Sequence, residues 1–146
     1  MIEELLKLNV KEQDVLDMGC GTSVLAILAS KLGARRVLAI DNDEWSVNNS
    51  VENLKLNNID NVSVKQGSDE LLHRGHFNLI LANINLNVLL SQINTYVDVL
   101  CEGGSIMFSG VLELDVHKLI ASIENVDLVV KETKQKDKWV MIRCVK

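Results

Sequence analysis

At 146 residues the chain has the length of one domain with a core of its own, and 47% hydrophobic with 24% charged residues is the balance of a globular protein. A formal charge of -5 gives no global basic field with which to collect nucleic acid, and no apolar run is long enough to span a bilayer. Cys20, Cys101 and Cys144 stand far apart, with no Cys-x-x-Cys pair and no nearby histidine, so neither a disulfide framework nor a metal site is indicated. The start MIEELLKLNVKEQ is no signal peptide, and the cytoplasm is the expected compartment.

Ile2, Leu5, Leu6 and Leu8 share one apolar face, which predicts a short helix over 2–8. The chain is then organised around Asp14 to Asp41, DVLDMGCGTSVLAILASKLGARRVLAID. After Asp17, Gly19 and Gly21 let the backbone turn sharply with no side chain in the way. Val24, Leu25, Leu28 and Leu32 recur at helical spacing, Gly33 stops the helix, and Val37 to Ile40 form a second strand that ends on Asp41. Such a strand, turn, helix and strand put the turn and the second strand's end at one edge of a parallel sheet, where open α/β folds bind their ligands.

Charge bears on which ligand. A dinucleotide fingerprint wants a third glycine where Val24 stands, and it seats a pyrophosphate on the helix N-terminus. Asp17, two residues before Gly19, would repel that pyrophosphate and attract the sulfonium and ammonium of S-adenosylmethionine. Asp41, about 20 residues beyond the glycines, suits the ribose hydroxyls of either cofactor. The plainer alternatives make Asp17 a strand-end residue and Asp41 a turn former.

Asp43 caps a second long helix with apolar positions at Val47, Val51, Leu54 and Leu56. Trp45 in its first turn is read as half buried against the sheet, or else as a wall for an adenine. Val62 and Val64 mark a third strand that ends at Gln66-Gly67-Ser68-Asp69. Ser68 and Asp69 either meet the adenine amino group or cap the following turn, Asp69 to Leu72. The apolar run Phe77 to Ala82 reads as a strand covered on both faces, and it ends on Asn83. The carbonyl of a neutral amide there can accept a hydrogen bond from an incoming amine and hold its lone pair toward an electrophile; the alternative makes Asn83 and Asn85 turn and cap residues.

A helix over Leu86 to Leu100 is closed by Glu102-Gly103-Gly104, and a fifth strand follows over Ser105 to Gly110. Val116, Leu119, Ile120 and Ile123 mark another helix, and Val126 to Val130 and Trp139 to Val145 the last two strands. The polar stretch between those two strands, with Lys131 to Lys138 read as a solvated hairpin, leaves no room for a helix, so they must be antiparallel. His73 and His76 in a surface turn and His117 on a helix face are read as structural.

Asp17-x-Gly19-x-Gly21, the acid at 41 and Asn83 after the fourth strand together resemble the class I S-adenosylmethionine-dependent methyltransferases. DMGCGTSVLAILASKLGA, AIDNDEWSVNNSVENLKLN, LILANINLNVLL and GGSIMFSGVLELD resemble the catalytic domain of the ribosomal protein L-11 methyltransferase (PrmA) family, and the likeness runs over nearly the whole chain. Ala82-Asn83-Ile84 in place of Asn-Pro-Pro-Tyr separates it from adenine-modifying enzymes.

The resemblance implies a Rossmann-like α/β fold with a seven-stranded, mostly parallel sheet of order 3-2-1-4-5-7-6, the last strand antiparallel and helices on both faces. It implies one domain over 1–146 that binds S-adenosyl-L-methionine and lacks the family's N-terminal recognition domain. Asp17, Gly19 and Gly21 would line the methionine end of the cofactor, Asp41 with Asn42 beside it would take the ribose, and Ser68 and Asp69 would border the adenine. Asn83 would face both the cofactor and the acceptor, an amine on a lysine side chain or the N-terminus of ribosomal protein L-11. Ser23 stands where many members carry a third glycine, and the segment that members have just before the first helix is missing. Other readings are a cofactor-binding fragment inactive without its N-terminal part, a small-molecule methyltransferase, and an NAD-dependent enzyme.

Overall fold

The computed structural model describes residues 1–72 and 76–146, so the expectation for His73 lies outside the described residues. Among the described residues there are five helices and seven strands: α1 Ile2–Leu5, β1 Asp14–Met18, α2 Val24–Lys31, β2 Arg36–Asp41, α3 Glu44–Leu56, β3 Val62–Gln66, β4 Phe77–Asn83, α4 Leu86–Val99, β5 Leu100–Leu112, α5 Val116–Ile123, β6 Val129–Lys136 and β7 Trp139–Val145. Single turns of 3-10 helix precede β4 (Asp69–Leu72) and α5 (Glu113–Asp115). The strands form one sheet in the order β3-β2-β1-β4-β5-β7-β6. β1 pairs in parallel with β2 and β4, β2 with β3, and β4 with β5, whereas β7 runs antiparallel to β5 and β6. The class I methyltransferase topology expected from the sequence is therefore present.

All five residues of β1 are buried, because the strand is covered on both faces. Leu16 and Met18 join Ile80, Ile93, Tyr96 and Phe108 in one core, while Val15 joins Leu5, Ala26, Ala29 and Leu81 in the other. Strand alternation then puts Asp17 on the same side as Val15, toward α2. At the opposite end of β1, Asp14 takes a bidentate bond from Arg35 (2.8 and 2.7 Å) and a contact from Arg36 at 2.6 Å.

Several local expectations shift. The inward face of α2 is Ala26 and Ala29, small enough for the helix to lie close on the sheet, and Val24 is exposed. In α3 the buried residues are Ser50 and Leu54, while Val51 and Leu56 face outward. α1 stops at Leu5 because Lys7 and Leu8 turn back on Glu4 and Leu5 with i→i+3 bonds. β5 begins five residues before the expected Ser105: Leu100 pairs with Phe77, and the Gly103 N–H and Gly104 carbonyl bond the Lys146 backbone. β6 is displaced to Val129–Lys136, so most of the lysine-bearing stretch is an exposed edge strand of the expected solvated hairpin. Only Asp137 and Lys138 form the turn.

Candidate functional site

The sheet's order reverses between β1 and β4, and the carboxyl ends of β1 to β4 open on the same edge. That brings Gly19, Asp41, Ser68 and Asn83 to one edge of the sheet. The loop from Gly19 to Ser23 is held in a conformation most residues avoid, with φ of +68° at Gly19, +54° at Gly21 and +60° at Ser23. The N–H groups of Gly19 and Cys20 both donate to the Ile40 carbonyl, at 2.8 and 3.0 Å, which ties the loop to the end of β2. Gly21 N–H donates to Asp41 Oδ2 at 2.8 Å, and Asp41 Oδ1 accepts from Asp43 N–H at 3.0 Å. Asp41 therefore bridges the glycine loop and the start of α3. Asp43 caps that helix as expected, accepting the Ser46 amide at 2.9 Å.

Asp17 is only 1% exposed, and its Oδ2 accepts the Ala26 amide at 2.9 Å. It caps α2 from a distance, because Ser23 at the N-cap position makes no side-chain cap bond. Burial pushes the Asp17 carboxyl up to about 7; the Ala26 amide opposes that shift and the Asp41 charge adds to it. The charge reading took Asp17 as an anion beside the cofactor, whereas burial favours its protonated form. Ser23, the residue in place of a third glycine, is fully buried and left-handed, and its hydroxyl donates to Ser50 Oγ at 2.7 Å.

Asn42 is exposed and its carbonyl accepts from Gln66 Nε2 at 3.3 Å. Trp45 is 67% exposed, not half buried: the buried side of α3 runs through Ser50 and Leu54, and position 45 lies off it. Ser68 and Asp69 lie where β3 leaves the sheet, and their side chains meet α4. Gln92 Nε2 donates to Ser68 Oγ at 2.7 Å and to Asp69 Oδ1 at 3.1 Å, and Thr95 Oγ1 donates to Asp69 Oδ2 at 3.1 Å. The buried Tyr96 hydroxyl in turn donates to Gln92 Oε1. Asp69 Oδ1 also accepts the Ser68 hydroxyl at 3.3 Å, so it is Oδ2 that keeps a further lone pair for a ligand.

The structure separates the two asparagines of Asn83-Ile84-Asn85. Asn85 is the N-cap of α4 and accepts the Val88 amide at 3.2 Å. Asn83 is exposed at the end of β4, and among the described residues no side chain or backbone group bonds its amide. It borders a cleft of about 780 Å³ that also takes in Glu4, Val24, Leu25, Ser109 and Trp139. Sequence reasoning missed three residues here. Ile84 fills the space that a side chain on Gly19 would need, Gly110 (φ +82°) lies so close to Ile84 that a Cβ there would be 2.6 Å from its carbonyl oxygen, and Ser109 pairs in register with Asn83. Nothing local in the sequence signals contacts between residues this far apart. Among the described residues, no group of three or more His, Cys, Asp or Glu side chains is placed to hold a metal ion.

The model of the family described as Ribosomal protein L11 methyltransferase (PrmA) matches residues 1–146. The chain belongs to the ribosomal protein L11 methyltransferase family. Among PrmA relatives, a Ribosomal protein L11 methyltransferase of Bacteroides thetaiotaomicron is 42% identical over 144 residues, covering 98% of this chain and 51% of the relative. One from Porphyromonas gingivalis is also 42% identical, with 98% of this chain and 50% of the relative covered. The crystal structure of a ribosomal protein L11 methylase from Lactobacillus delbrueckii subsp. bulgaricus superposes with a TM-score of 0.93 at 31% identity, over 98% of this chain and 74% of that one. The chain spans about half the length of the curated PrmA relatives it matches.

Proposed function

We propose that this chain is the cofactor-binding and methyl-transferring part of an S-adenosylmethionine-dependent protein N-methyltransferase whose substrate is ribosomal protein L11. What supports the reading, beside family membership, is the unbonded amide of Asn83 at the open end of β4, next to the glycine loop and on the wall of the cleft. Recognition of L11 is assigned to the part of the relatives' length that this chain does not span. The cytoplasm, where ribosomes work, is the compartment this reading requires; no helix among the described residues is long and apolar enough to cross a membrane.

The residues present fit S-adenosylmethionine. No atom lies within 4 Å of the place a Cβ on Gly21 would occupy, so the loop presents open backbone. Asp41 puts a carboxyl beside that loop, an arrangement that favours a cationic ligand over a pyrophosphate, and Asp17, buried behind the loop with its carboxyl pushed up to about 7, adds to this only as it ionises. Val24 and Leu25, the first residues of α2, line the same cleft as Asn83. Asp41 is half-buried with lone pairs left for ribose hydroxyls, and Asn42, Ser68 and Asp69 continue the rim toward the adenine.

When bound, S-adenosylmethionine supplies a methyl group already activated on a positively charged sulfur. The protein then has to deliver a neutral amine in line and exclude water. Asn83 Oδ1 accepts one N–H of the amine and directs the lone pair into the crevice. An amide is suited to this because it neither ionises nor protonates the amine. A lysine amine, with an ordinary pKa near 10.4, must shed its proton before it reacts. The direct test is methyl transfer to purified L11, with the Asn83→Ala variant alongside. Transfer that needs Asn83 supports the reading, and transfer indifferent to Asn83 rejects the assigned role.

The span of about half the relatives' length favours a second reading, in which the chain binds the cofactor but transfers nothing alone. Cofactor binding without transfer, restored by a chain of the relatives' full length, would select it.

A further inference from the structure

The glycine loop is tied to β2 through Asp41 and the Ile40 carbonyl, but its other side is gripped by α3. Ser50 Oγ donates to the Gly21 carbonyl at 2.7 Å, and Asn53 Nδ2 donates to the Thr22 carbonyl at 3.0 Å. Three residues apart on a helix, Ser50 and Asn53 share one face. Ser50 is completely buried, and its oxygen accepts the Ser23 hydroxyl at 2.7 Å while the Cys20 sulfur stands at 3.7 Å. The hydroxyls form a directed chain in which Ser23 donates to Ser50 and Ser50 donates to Gly21. Gly21 is thereby held at both ends, its N–H by Asp41 and its carbonyl by Ser50.

Three left-handed residues within five give this loop much freedom to lose, and a ligand that had to order it would bind more weakly for doing so. Two carbonyls anchored from α3 remove that burden before any ligand arrives. The same chain explains how Ser23 is accommodated where glycine would be easier: its side chain has a partner in Ser50. We infer that Ser50 and Asn53 are positioning residues for the methionine end of the cofactor, acting through the Gly21 and Thr22 carbonyls without touching the ligand. This rests on the assignment of the loop to S-adenosylmethionine.

The test is calorimetric titration of the 146-residue chain with S-adenosylhomocysteine, paired with thermal denaturation and with amide exchange of the ligand-free protein. Ser50→Ala leaves the Ser23 hydroxyl and the Gly21 carbonyl short of a partner, and it is expected to weaken binding about tenfold and to speed exchange of the loop amides. Asn53→Ala, which removes one bond at a less buried site, is expected to weaken binding by a smaller factor and serves if Ser50→Ala does not fold. Ser50→Thr, which keeps the hydroxyl, should recover most of the affinity. Leu54→Val on the same helix, lowering the melting temperature without touching the loop, should leave affinity unchanged. Wild-type affinity in both Ser50→Ala and Asn53→Ala, or an equal loss in Leu54→Val, overturns the positioning role alone. A wild-type chain that does not bind S-adenosylhomocysteine overturns the cofactor assignment and this inference with it.

Discussion

A Cβ placed on Gly19 would lie 1.9 Å from Cγ2 of Ile84, so the first glycine of the loop and the residue after Asn83 occupy the same space in turn. The glycine loop and the end of β4 are in direct contact there. Ile84 is β-branched and stiff at χ1, so it cannot swing aside cheaply. Gly19→Ala should therefore cost about 3 kcal/mol from the left-handed backbone and the overlap combined. It should also displace Asn83. Shortening the neighbour in Gly19→Ala/Ile84→Ala removes the overlap but not the backbone strain. A double-mutant cycle by chemical denaturation should show strong non-additivity, and strictly additive losses would mean that the two residues do not share that space.

Asp17 makes stability depend on pH in an unusual direction. Its carboxyl is raised from an ordinary 3.8 to about 7, so the folded protein holds a proton that the unfolded chain releases. The resulting stability is fully present below the ordinary value and is lost as pH rises to about 7, at up to about 1.4 kcal/mol per pH unit. Asp17→Asn keeps an oxygen for the Ala26 amide and cannot titrate. Denaturation between pH 4.5 and about 8 should show the wild type losing stability relative to Asp17→Asn, with most of the divergence below about 7. Parallel profiles would show that Asp17 is ionised throughout.

Asp14 behaves in the opposite sense. The Arg35 bond, with Arg36 adding to it, holds its carboxyl below the ordinary range despite burial. Stability from this cluster is present above 3.8 and lost as pH falls through the lowered value. Asp14→Asn should be less stable than wild type at neutral pH, and the gap should close in strong acid. A gap that stays constant down to pH about 2 would contradict the assignment.

Asn83 and Asn85 should fail in different ways. Asn85→Ala removes the cap of α4 and should cost about 1 kcal/mol of stability while leaving turnover near normal. Asn83→Ala, which breaks no bond among the described residues, should leave stability unchanged and lower turnover on L11 by about tenfold to a thousandfold. Melting curves and initial rates on both variants check this, and the reverse pattern would exchange the two roles.

The glycine turn, the acids at 17 and 41 and the amide at 83 were legible because each stands at a strand end with a short spacing to its neighbours. The strand order rested on family resemblance; periodicity alone yields a parallel sheet and a final hairpin. What escaped was set by distant partners. β6 has both faces largely open to solvent, so its lysine-bearing half carries no apolar alternation and its register is dictated by β7. Gly110, Ile84 and Ser50 matter through contacts with residues that only the folded chain brings near. Asp17 was found by its position but misjudged in its state, because a strand-end acid looks the same in sequence whether it is solvated or sealed beneath a helix.

The most direct measurement of the central claim is calorimetric titration of the purified chain with S-adenosylmethionine and, separately, with NAD. The account predicts one molecule of S-adenosylmethionine bound per chain, little heat with NAD, and loss of S-adenosylmethionine binding in Gly19→Ala. Saturable binding of NAD by a chain that ignores S-adenosylmethionine would contradict it.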